Sequence, residues 1–241
     1  MNSLVIDIGN TNIKAGVFYG EIFQEVIFFE KNETERLGNI IQKHHITQSI
    51  LSNVGPASIE LENFLLSQTK FLKLDHHTKL PFRSHYKTPK TLGMDRVSAV
   101  AGSLHFFKDI NCLIIDAGTC ITYDFITSEE IYMGGAIAPG MQMRLSAMNH
   151  FTERLPNLSF FVLDDFVGNT TESSMMSGAF YGIVNEINET INRYEQRYGA
   201  LQVITCGGDA ILFDKHIKRS IFAAPYLVLY GLNKILSFNV K

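Results

Sequence analysis

The chain has 241 residues, of which 46% are hydrophobic and 19% charged, and its formal net charge is −3. This composition supplies enough apolar material for one large domain or two smaller packed ones, and it lacks the signature of disorder. The sequence contains no basic block and no apolar run of membrane-spanning length, so neither nucleic acid nor a membrane is expected as a partner.

Cysteine usage and the first residues indicate a cytoplasmic protein. Cys112, Cys120 and Cys206 are scattered and form neither a CxxC motif nor a zinc-binding spacing, which favours a reducing compartment. The first apolar run reaches Asp7 after only three apolar residues, which is too short for a signal peptide.

The first half of the chain predicts three strands followed by alternating helices and strands. This order indicates an α/β fold with a mixed sheet. Apolar runs and helical spacing predict strands at Leu4–Ile6, Ile13–Tyr19, Ile22–Phe29, Ser49–Val54 and Phe71–Leu74, and helices at Glu33–His45, Ile59–Leu66 and Val97–Phe107.

The polar turn after the first strand has the residues of a phosphate-binding loop. Gly9 permits close approach of the backbone to a ligand, and Asn10 and Thr11 supply hydrogen-bond donors. Lys14 adds a positive charge, while Asp7 can hold a magnesium ion directly or through water. A polyphosphate with its metal suits this set best, although an ordinary solvated hairpin turn explains the same residues equally well.

The opening pattern recurs in the second half of the chain. An apolar run from Cys112 leads into Asp116-Ala117-Gly118, 109 positions after Asp7, and further strands are predicted at Ile121–Ile126 and Glu130–Ala138. This internal similarity predicts two related halves, residues 1–110 and 111–241. Farther along the chain, the pattern predicts helices at Met141–Met148 and Pro225–Leu236 and a strand at Leu201–Thr205. A further helix is predicted to start with the pattern Asn169-Thr170-Thr171-Glu172, which resembles a capped helix start, and to end at Tyr198.

Four segments in order resemble type III pantothenate kinases, whereas P-loop, dinucleotide-binding and HExxH motifs are absent. The resemblance covers nearly the whole chain. The four segments are Asp7-Ile8-Gly9-Asn10-Thr11-Asn12-Ile13-Lys14, Gly93-Met94-Asp95-Arg96, Asp116-Ala117-Gly118-Thr119-Cys120-Ile121-Thr122-Tyr123-Asp124, and Gly134-Gly135-Ala136-Ile137-Ala138-Pro139-Gly140.

The resemblance implies the actin-like (ribonuclease H-like) fold of sugar kinases, in which two similar half-domains with mixed sheets and flanking helices enclose an ATP cleft. It also implies phosphorylation of pantothenate by ATP with Mg2+, the first step towards coenzyme A. The implied ATP-binding residues are Asp7, Ile8, Gly9, Asn10, Thr11, Asn12, Ile13, Lys14 and Thr119. Asp7 would lie near magnesium, and Asp116 would bind a monovalent cation, potassium (K+) or ammonium (NH4+).

The same resemblance implies that Asp95 is the proton acceptor for the pantothenate hydroxyl. The implied pantothenate-binding residues are Tyr86, Gly93, Met94, Asp95, Arg96 and Thr171. The family is dimeric, and the long helix that begins at Thr171 is the expected site of subunit contact. Two alternatives stay open: a kinase of the same fold for another small molecule, and a non-catalytic transcriptional regulator of this fold.

Overall fold

The structure is a computed structural model, and it describes residues 1–9, 13–29, 33–53 and 59–240. Its contacts divide the chain into two compact units. The first comprises residues 1–109, 126–134 and 226–241, and the second comprises residues 110–125 and 135–225.

The first unit is built on a five-stranded mixed sheet with the order β3-β2-β1-β4-β5. β1 pairs antiparallel with β2 and parallel with β4, so it lies between them as the buried central strand. The bounds of these strands are β1 (Asn2–Ile8), β2 (Ile13–Tyr19), β3 (Ile22–Phe29), β4 (Gln48–Asn53) and β5 (Lys70–Lys73).

The described residues of this unit form four α-helices, and two of them pack closely on one another. The helices are α1 (Thr34–Lys43), α2 (Ile59–Gln68), α3 (Met94–Phe106) and α7 (Leu227–Asn239). α3 and α7 make extensive mutual contact, and α7 also contacts β1 and β4. One core of the unit lies between the sheet and α1 and α2, with Leu4, Ile6, Leu37 and Leu61 all at most 1% exposed.

The strands of the second unit follow the order β11-β10-β7-β8-β9. Their bounds are β7 (Cys112–Ala117), β8 (Cys120–Ile126), β9 (Ile131–Pro139), β10 (Gln202–Cys206) and β11 (Ile221–Ala223). β9 starts within the first unit, where β6 (Arg83–Ser84) pairs with it in parallel. The helices of this unit are α4 (Met141–His150), α5 (Thr171–Tyr198) and α6 (Ala210–Phe213).

The predicted recurrence of a three-strand motif is confirmed. β1, β2 and β3 are consecutive neighbours in one sheet, and β7, β8 and β9 are consecutive neighbours in the other. Each motif begins with an almost fully buried strand: Leu4 and Ile6 in β1, and Leu113 and Ile114 in β7, are 0% exposed. Both therefore form the centre of a sheet, as their continuous apolar runs predicted.

Two predicted helix starts need correction, and two short strands are not among the predictions. The start of α5 was predicted around Asn169 and Glu172, but Thr170 is the N-cap, and its side chain and that of Ser173 each bond the other residue's backbone N–H. The short strands β6 and β11 were not predicted because two or three residues are too few to show a periodicity. α3 begins at Met94, three residues before its predicted start.

The grouping of contacts also differs from the predicted halves, residues 1–110 and 111–241. Residues 226–241 group with the first unit, because α7 packs on α3 and β1. How the two predicted half-domains correspond to these units stays a prediction.

Candidate active site

Asp7 lies near the carboxyl end of β1, where the neighbouring strands bring polar side chains beside it. Its Cα partner on the antiparallel strand β2 is Lys14, and its partner on the parallel strand β4 is Ser52. Directly opposed residues in a ladder project to the same face, so a carboxylate and an ammonium group share one face of the sheet. Both are partly exposed, so the ammonium group is accessible to an anionic ligand and the carboxylate to a cation.

The turn between β1 and β2 is described only at its ends. Ile8 and Ile13 form the last pair of the ladder and are 1% and 6% exposed, so they anchor the turn by burial. Gly9 directly follows β1 and is partly buried. The predicted ATP-binding residues Asn10, Thr11 and Asn12 lie outside the described residues.

The segment Gly93–Arg96 forms the N-terminus of α3. Gly93 is the N-cap, with extended backbone, and Asp95 lies in the first turn. The Asp95 carboxylate accepts a hydrogen bond from the Arg96 backbone N–H at 2.8 Å. The positive end of the helix dipole stabilises a carboxylate at this position, so the fold holds Asp95 as a fixed, partly exposed acid.

Arg96 connects this helix start to Tyr86. The Arg96 side chain is largely buried, at 6% exposure, and its guanidinium lies 5.7 Å from the centre of the Tyr86 ring. Tyr86 stacks on the fully buried Tyr132 with an interplanar angle of 9°. An added Cβ on Gly134 would come within 3.3 Å of the Tyr86 ring. Four predicted residues, Tyr86, Gly93, Asp95 and Arg96, are thus brought into one site of the first unit.

Asp116 occupies the equivalent position at the carboxyl end of β7 in the second unit. Its register partner on β10 is Cys206, and the chain then turns through Gly207 with φ of +92°. A Cβ on Gly207 would lie 2.4 Å from Asp116 Oδ1 and 2.2 Å from the carbonyl oxygen of Ala117. The Asp116 carboxylate and the Ala117 carbonyl oxygen therefore both lie close to the Gly207 backbone, an approach that a side chain at this position would block.

The turn that carries Thr119 is covered by the start of α4. The Gly118 N–H donates to the Cys120 carbonyl at 2.9 Å, and the Gly140 N–H donates to the Thr119 carbonyl at 3.1 Å. A Cβ on Gly140 would lie 2.1 Å from the Gly118 carbonyl oxygen, so only glycine permits this approach. The Thr119 side chain itself is exposed.

Thr171 lies apart from these groups within the second unit. It is the first residue of α5 and lines a pocket of about 700 Å³. The other lining residues are Met148, Leu155, Gly168, Asn169, Thr170, Ser174 and Met175.

Asp209 is not among the predicted site residues, but the structure places it beside Ala117, next to Asp116. Its backbone N–H donates to the Ala117 carbonyl at 2.9 Å, and burial raises the pKa of its carboxyl group above the usual range. The feature of the sequence that could have indicated Asp209 is the pair Gly207-Gly208 directly after a buried strand. A glycine also lies two positions after Asp7 and two positions after Asp116, at the ends of their strands.

Solved structures identify the class of fold. A structure from Campylobacter jejuni, titled as a putative Baf family transcriptional activator, has a TM-score of 0.61 and 24% identity, and the match covers 98% of each chain. The ROK hexokinase from Thermus thermophilus has a TM-score of 0.55 and 11% identity over the full length of both chains. At these identities the likeness concerns the fold alone. It confirms the predicted actin-like α/β fold of the sugar kinases.

Sequence comparison then identifies the family. The sequence model described as type III pantothenate kinase matches residues 3–193. A type III pantothenate kinase from Christiangramia forsetii is 42% identical over 239 residues, and one from Flavobacterium johnsoniae is 38% identical over 241, with 98% of each chain covered in both matches. The chain belongs to the type III pantothenate kinase family. This confirms the predicted family and the predicted class of enzyme, a kinase. It does not favour the alternative of a non-catalytic transcriptional regulator of the same fold.

Two features are absent from the described residues, a membrane-spanning helix and a cluster of metal-binding side chains. No helix in these ranges is both long enough and apolar enough to cross a membrane. No group of three or more His, Cys, Asp or Glu side chains in the same ranges is arranged to hold a metal ion.

Proposed function

We propose that this protein transfers the terminal phosphoryl group of ATP to the terminal hydroxyl of pantothenate, giving 4'-phosphopantothenate, the first step of coenzyme A biosynthesis. Membership of the family supports the reaction. The observation that carries the proposal is the site at the start of α3, where Asp95, Arg96 and Tyr86 meet. This site combines a fixed acid, a buried cation and an aromatic ring for one small polar substrate.

Asp95 is the proposed proton acceptor. The nucleophile is an alcohol, which needs to lose its proton as the new phosphorus–oxygen bond forms. Because one carboxylate oxygen already accepts the Arg96 N–H, the orientation of the group is set before the substrate binds. Gly93, Met94, Arg96 and Tyr86 are the proposed pantothenate contacts around it, and Thr171 is a further proposed contact.

The turn after β1 is the proposed phosphate-binding loop, formed by Asp7, Ile8, Gly9, Asn10, Thr11, Asn12, Ile13 and Lys14. Lys14 supplies positive charge near the transferred phosphoryl group, and Asp7 supplies the carboxylate for Mg2+. A single carboxylate fits this ion, because Mg2+ commonly keeps several waters and uses one or two carboxylates with the nucleotide phosphates. When bound, the ion would neutralise charge on those phosphates.

Asp116 is the proposed ligand of a monovalent cation, K+ or NH4+, and Thr119 is the proposed ATP contact of the second unit. The types of ligand atom fit such a cation, because the Asp116 carboxylate and the Ala117 carbonyl supply oxygen atoms close to Gly207, and oxygen is the ligand atom that hard cations prefer. Bound there, the cation would add positive charge to the nucleotide site.

The decisive experiment replaces the proposed base. Asp95→Asn preserves the shape of the side chain but removes the proton acceptor, so kcat with ATP, Mg2+, K+ and pantothenate should fall about a thousandfold. ATP affinity, measured by isothermal titration calorimetry, should stay near that of the wild type. Asp109→Asn is the matched control, since Asp109 is exposed and asparagine also tolerates its φ of +56°. An Asp95→Asn enzyme with normal turnover contradicts the assignment of the base, and a wild-type enzyme that phosphorylates a sugar but not pantothenate contradicts the substrate.

A homodimer in the cytoplasm completes the proposal. The second unit carries large exposed apolar side chains, including Phe151 at 82%, Val162 at 81% and Phe166 at 66% exposure, and the Phe166 ring contacts that of Tyr181 on α5. Such side chains are typical of surfaces that bind another protein. Light scattering after size-exclusion chromatography measures the state directly, and a mass near 27.1 kDa at working concentration contradicts the dimer.

A further inference from the structure

Three polar side chains of the second unit form a hydrogen-bonded chain that no proposed substrate contact includes. The Tyr123 hydroxyl on β8 donates to Glu186 Oε1 on α5 at 2.7 Å. Arg144 Nη2 on α4 lies 2.7 Å from the other carboxylate oxygen, Glu186 Oε2. Each oxygen of Glu186 therefore has its own donor, and one carboxylate joins three elements.

The Arg144 guanidinium extends this chain to the backbone. Its Nε donates to the Pro139 carbonyl at 2.8 Å, where β9 ends. The next residue, Gly140, is the N-cap of α4 and donates its N–H to the Thr119 carbonyl. Arg144 thus holds the bend that lies directly against the turn Gly118–Thr119.

An ordinary surface ion pair is the simpler interpretation of Arg144 and Glu186, and such pairs contribute little to stability. Two observations oppose it. The side chains are only 21% and 33% exposed, and the planar guanidinium uses separate N–H groups for a carboxylate and a carbonyl, which fixes its orientation. Tyr123 is 2% exposed, and its pKa is raised by burial and then by its bond to Glu186, so its hydroxyl keeps its proton and remains a donor.

We propose that Arg144 is a positioning residue for the nucleotide. Held by Glu186 and Tyr123, it fixes Pro139 and Gly140, and through them the turn that presents Thr119. The inference rests on the proposed function in one respect, namely that Thr119 contacts ATP. Loss of Arg144 should therefore weaken nucleotide binding specifically and leave the pantothenate contacts of the first unit intact.

The test measures equilibrium binding of the β,γ-imido analogue of ATP, with KM values for ATP and pantothenate alongside. Arg144→Met should weaken analogue binding and raise KM for ATP about tenfold, because small displacements of a positioned group are costly. KM for pantothenate should not change. Glu186→Gln should act in the same direction, and the double variant should be no weaker than Arg144→Met, since both changes break one unit. Arg144→Lys should recover part of the affinity, because lysine keeps the charge but not the two-pronged geometry.

The matched control is the exposed pair Arg193 and Glu189, which lies on the same helix α5 with side chains 76% and 59% exposed. Arg193→Met and Glu189→Gln should bind the analogue like the wild type. Thermal unfolding shows which variants are folded; a purely structural role would lower the melting temperature of Arg144→Met without changing the affinity of the folded protein. Unchanged affinity in folded Arg144→Met, or equal weakening by the control pair, overturns the inference.

Failure of the proposed function and failure of the role proposed for Arg144 give different results. A wild-type protein that binds the analogue but does not phosphorylate pantothenate contradicts the function, while the comparison of variants still decides the role of Arg144. A wild-type protein that does not bind the analogue at all overturns both.

Discussion

The absence of a side chain at Gly93 makes room for the Asp95 carboxylate. A Cβ at this position would lie 2.3 Å from Asp95 Oδ1. The backbone of Gly93 has φ of −62° and ψ of 134°, which any residue adopts. The glycine is thus needed for the position of the acid and not for the path of the chain.

Gly93→Ala should therefore reduce activity without unfolding the protein. The added methyl group would push the carboxylate away from the Arg96 N–H, and kcat should fall about a hundredfold, as measured by steady-state kinetics. The melting temperature should change little, because the colliding atom is the end of a side chain. Gly38→Ala on α1 is a suitable control, since its Cβ would meet only Phe64 at an ordinary 3.5 Å. A large loss of stability with unchanged kcat would contradict this prediction, because it would show that the added methyl group displaces the backbone and leaves the Asp95 carboxylate in place.

The acids of the candidate site could be predicted from the sequence, but the pair Arg144 and Glu186, which holds the bend beside Thr119, could not. Asp7, Asp95 and Asp116 follow from short motifs with a fixed order along the chain. Arg144 and Glu186 are 42 residues apart, and each alone is an ordinary charged residue on a helix. Only the packing of α4 against α5 brings them together, so local sequence carried no signal for the pair.

At the scale of elements, α3 is held in place by α7 through two glycines. A Cβ on Gly231 of α7 would lie 1.7 Å from the Ser98 carbonyl oxygen of α3, and one on Gly102 of α3 would lie 2.3 Å from the Leu227 carbonyl oxygen. The two backbones are therefore in direct contact. Because Asp95 is at the N-terminus of α3, this contact also determines where the proposed base lies.

Gly231→Ala should force the two helices apart. The cost should be about 3 kcal/mol, as expected for overpacking that moves backbone, and chemical denaturation measures it. Gly178→Ala on α5 is the control, since no atom lies within 4 Å of its added Cβ and alanine favours helix more than glycine does. Equal stability of the Gly231→Ala and wild-type proteins would contradict the close contact.

Element type was predictable where periodicity is strong, and element partners were not. The bounds of β2 and β3, Ile13–Tyr19 and Ile22–Phe29, agree with the prediction because apolar runs and the turn at Gly20 define them. The pairing of α3 with α7 joins segments over 100 residues apart in sequence. Nothing in a glycine by itself indicates which backbone it approaches.

For the whole molecule, the described residues offer a pH response through His105. Burial lowers the pKa of this side chain below its usual value, Lys234 acts in the same direction, and Glu21 opposes both. Its ring lies 4.7 Å from that of Tyr230 and 4.8 Å from that of Phe106, measured between ring centres. As pH falls, the unfolded chain binds a proton at this position before the folded protein does.

The stability of the wild type should therefore decrease as pH falls below about 6.5, the usual pKa of histidine, and continue to decrease until His105 is protonated in the folded state. His105→Gln removes this contribution, so its melting temperature should fall less between pH 7 and pH 5 than that of the wild type. All other residues are the same in both proteins, so the difference between the two curves isolates His105. Parallel curves would contradict the lowered pKa.

The position of α7 has a consequence for biosynthesis. This helix is translated after the whole second unit, yet Leu227, Leu232, Ile235 and Leu236 are 0% exposed in the core of the first unit. Asn233 also accepts a hydrogen bond from Ser3 and donates one to the carbonyl of Gly20. A nascent chain can thus complete the second unit, which ends at Pro225, before the first unit receives its final helix. The unit whose strands are synthesised first therefore finishes folding only after the second unit has been synthesised and α7 has left the ribosome.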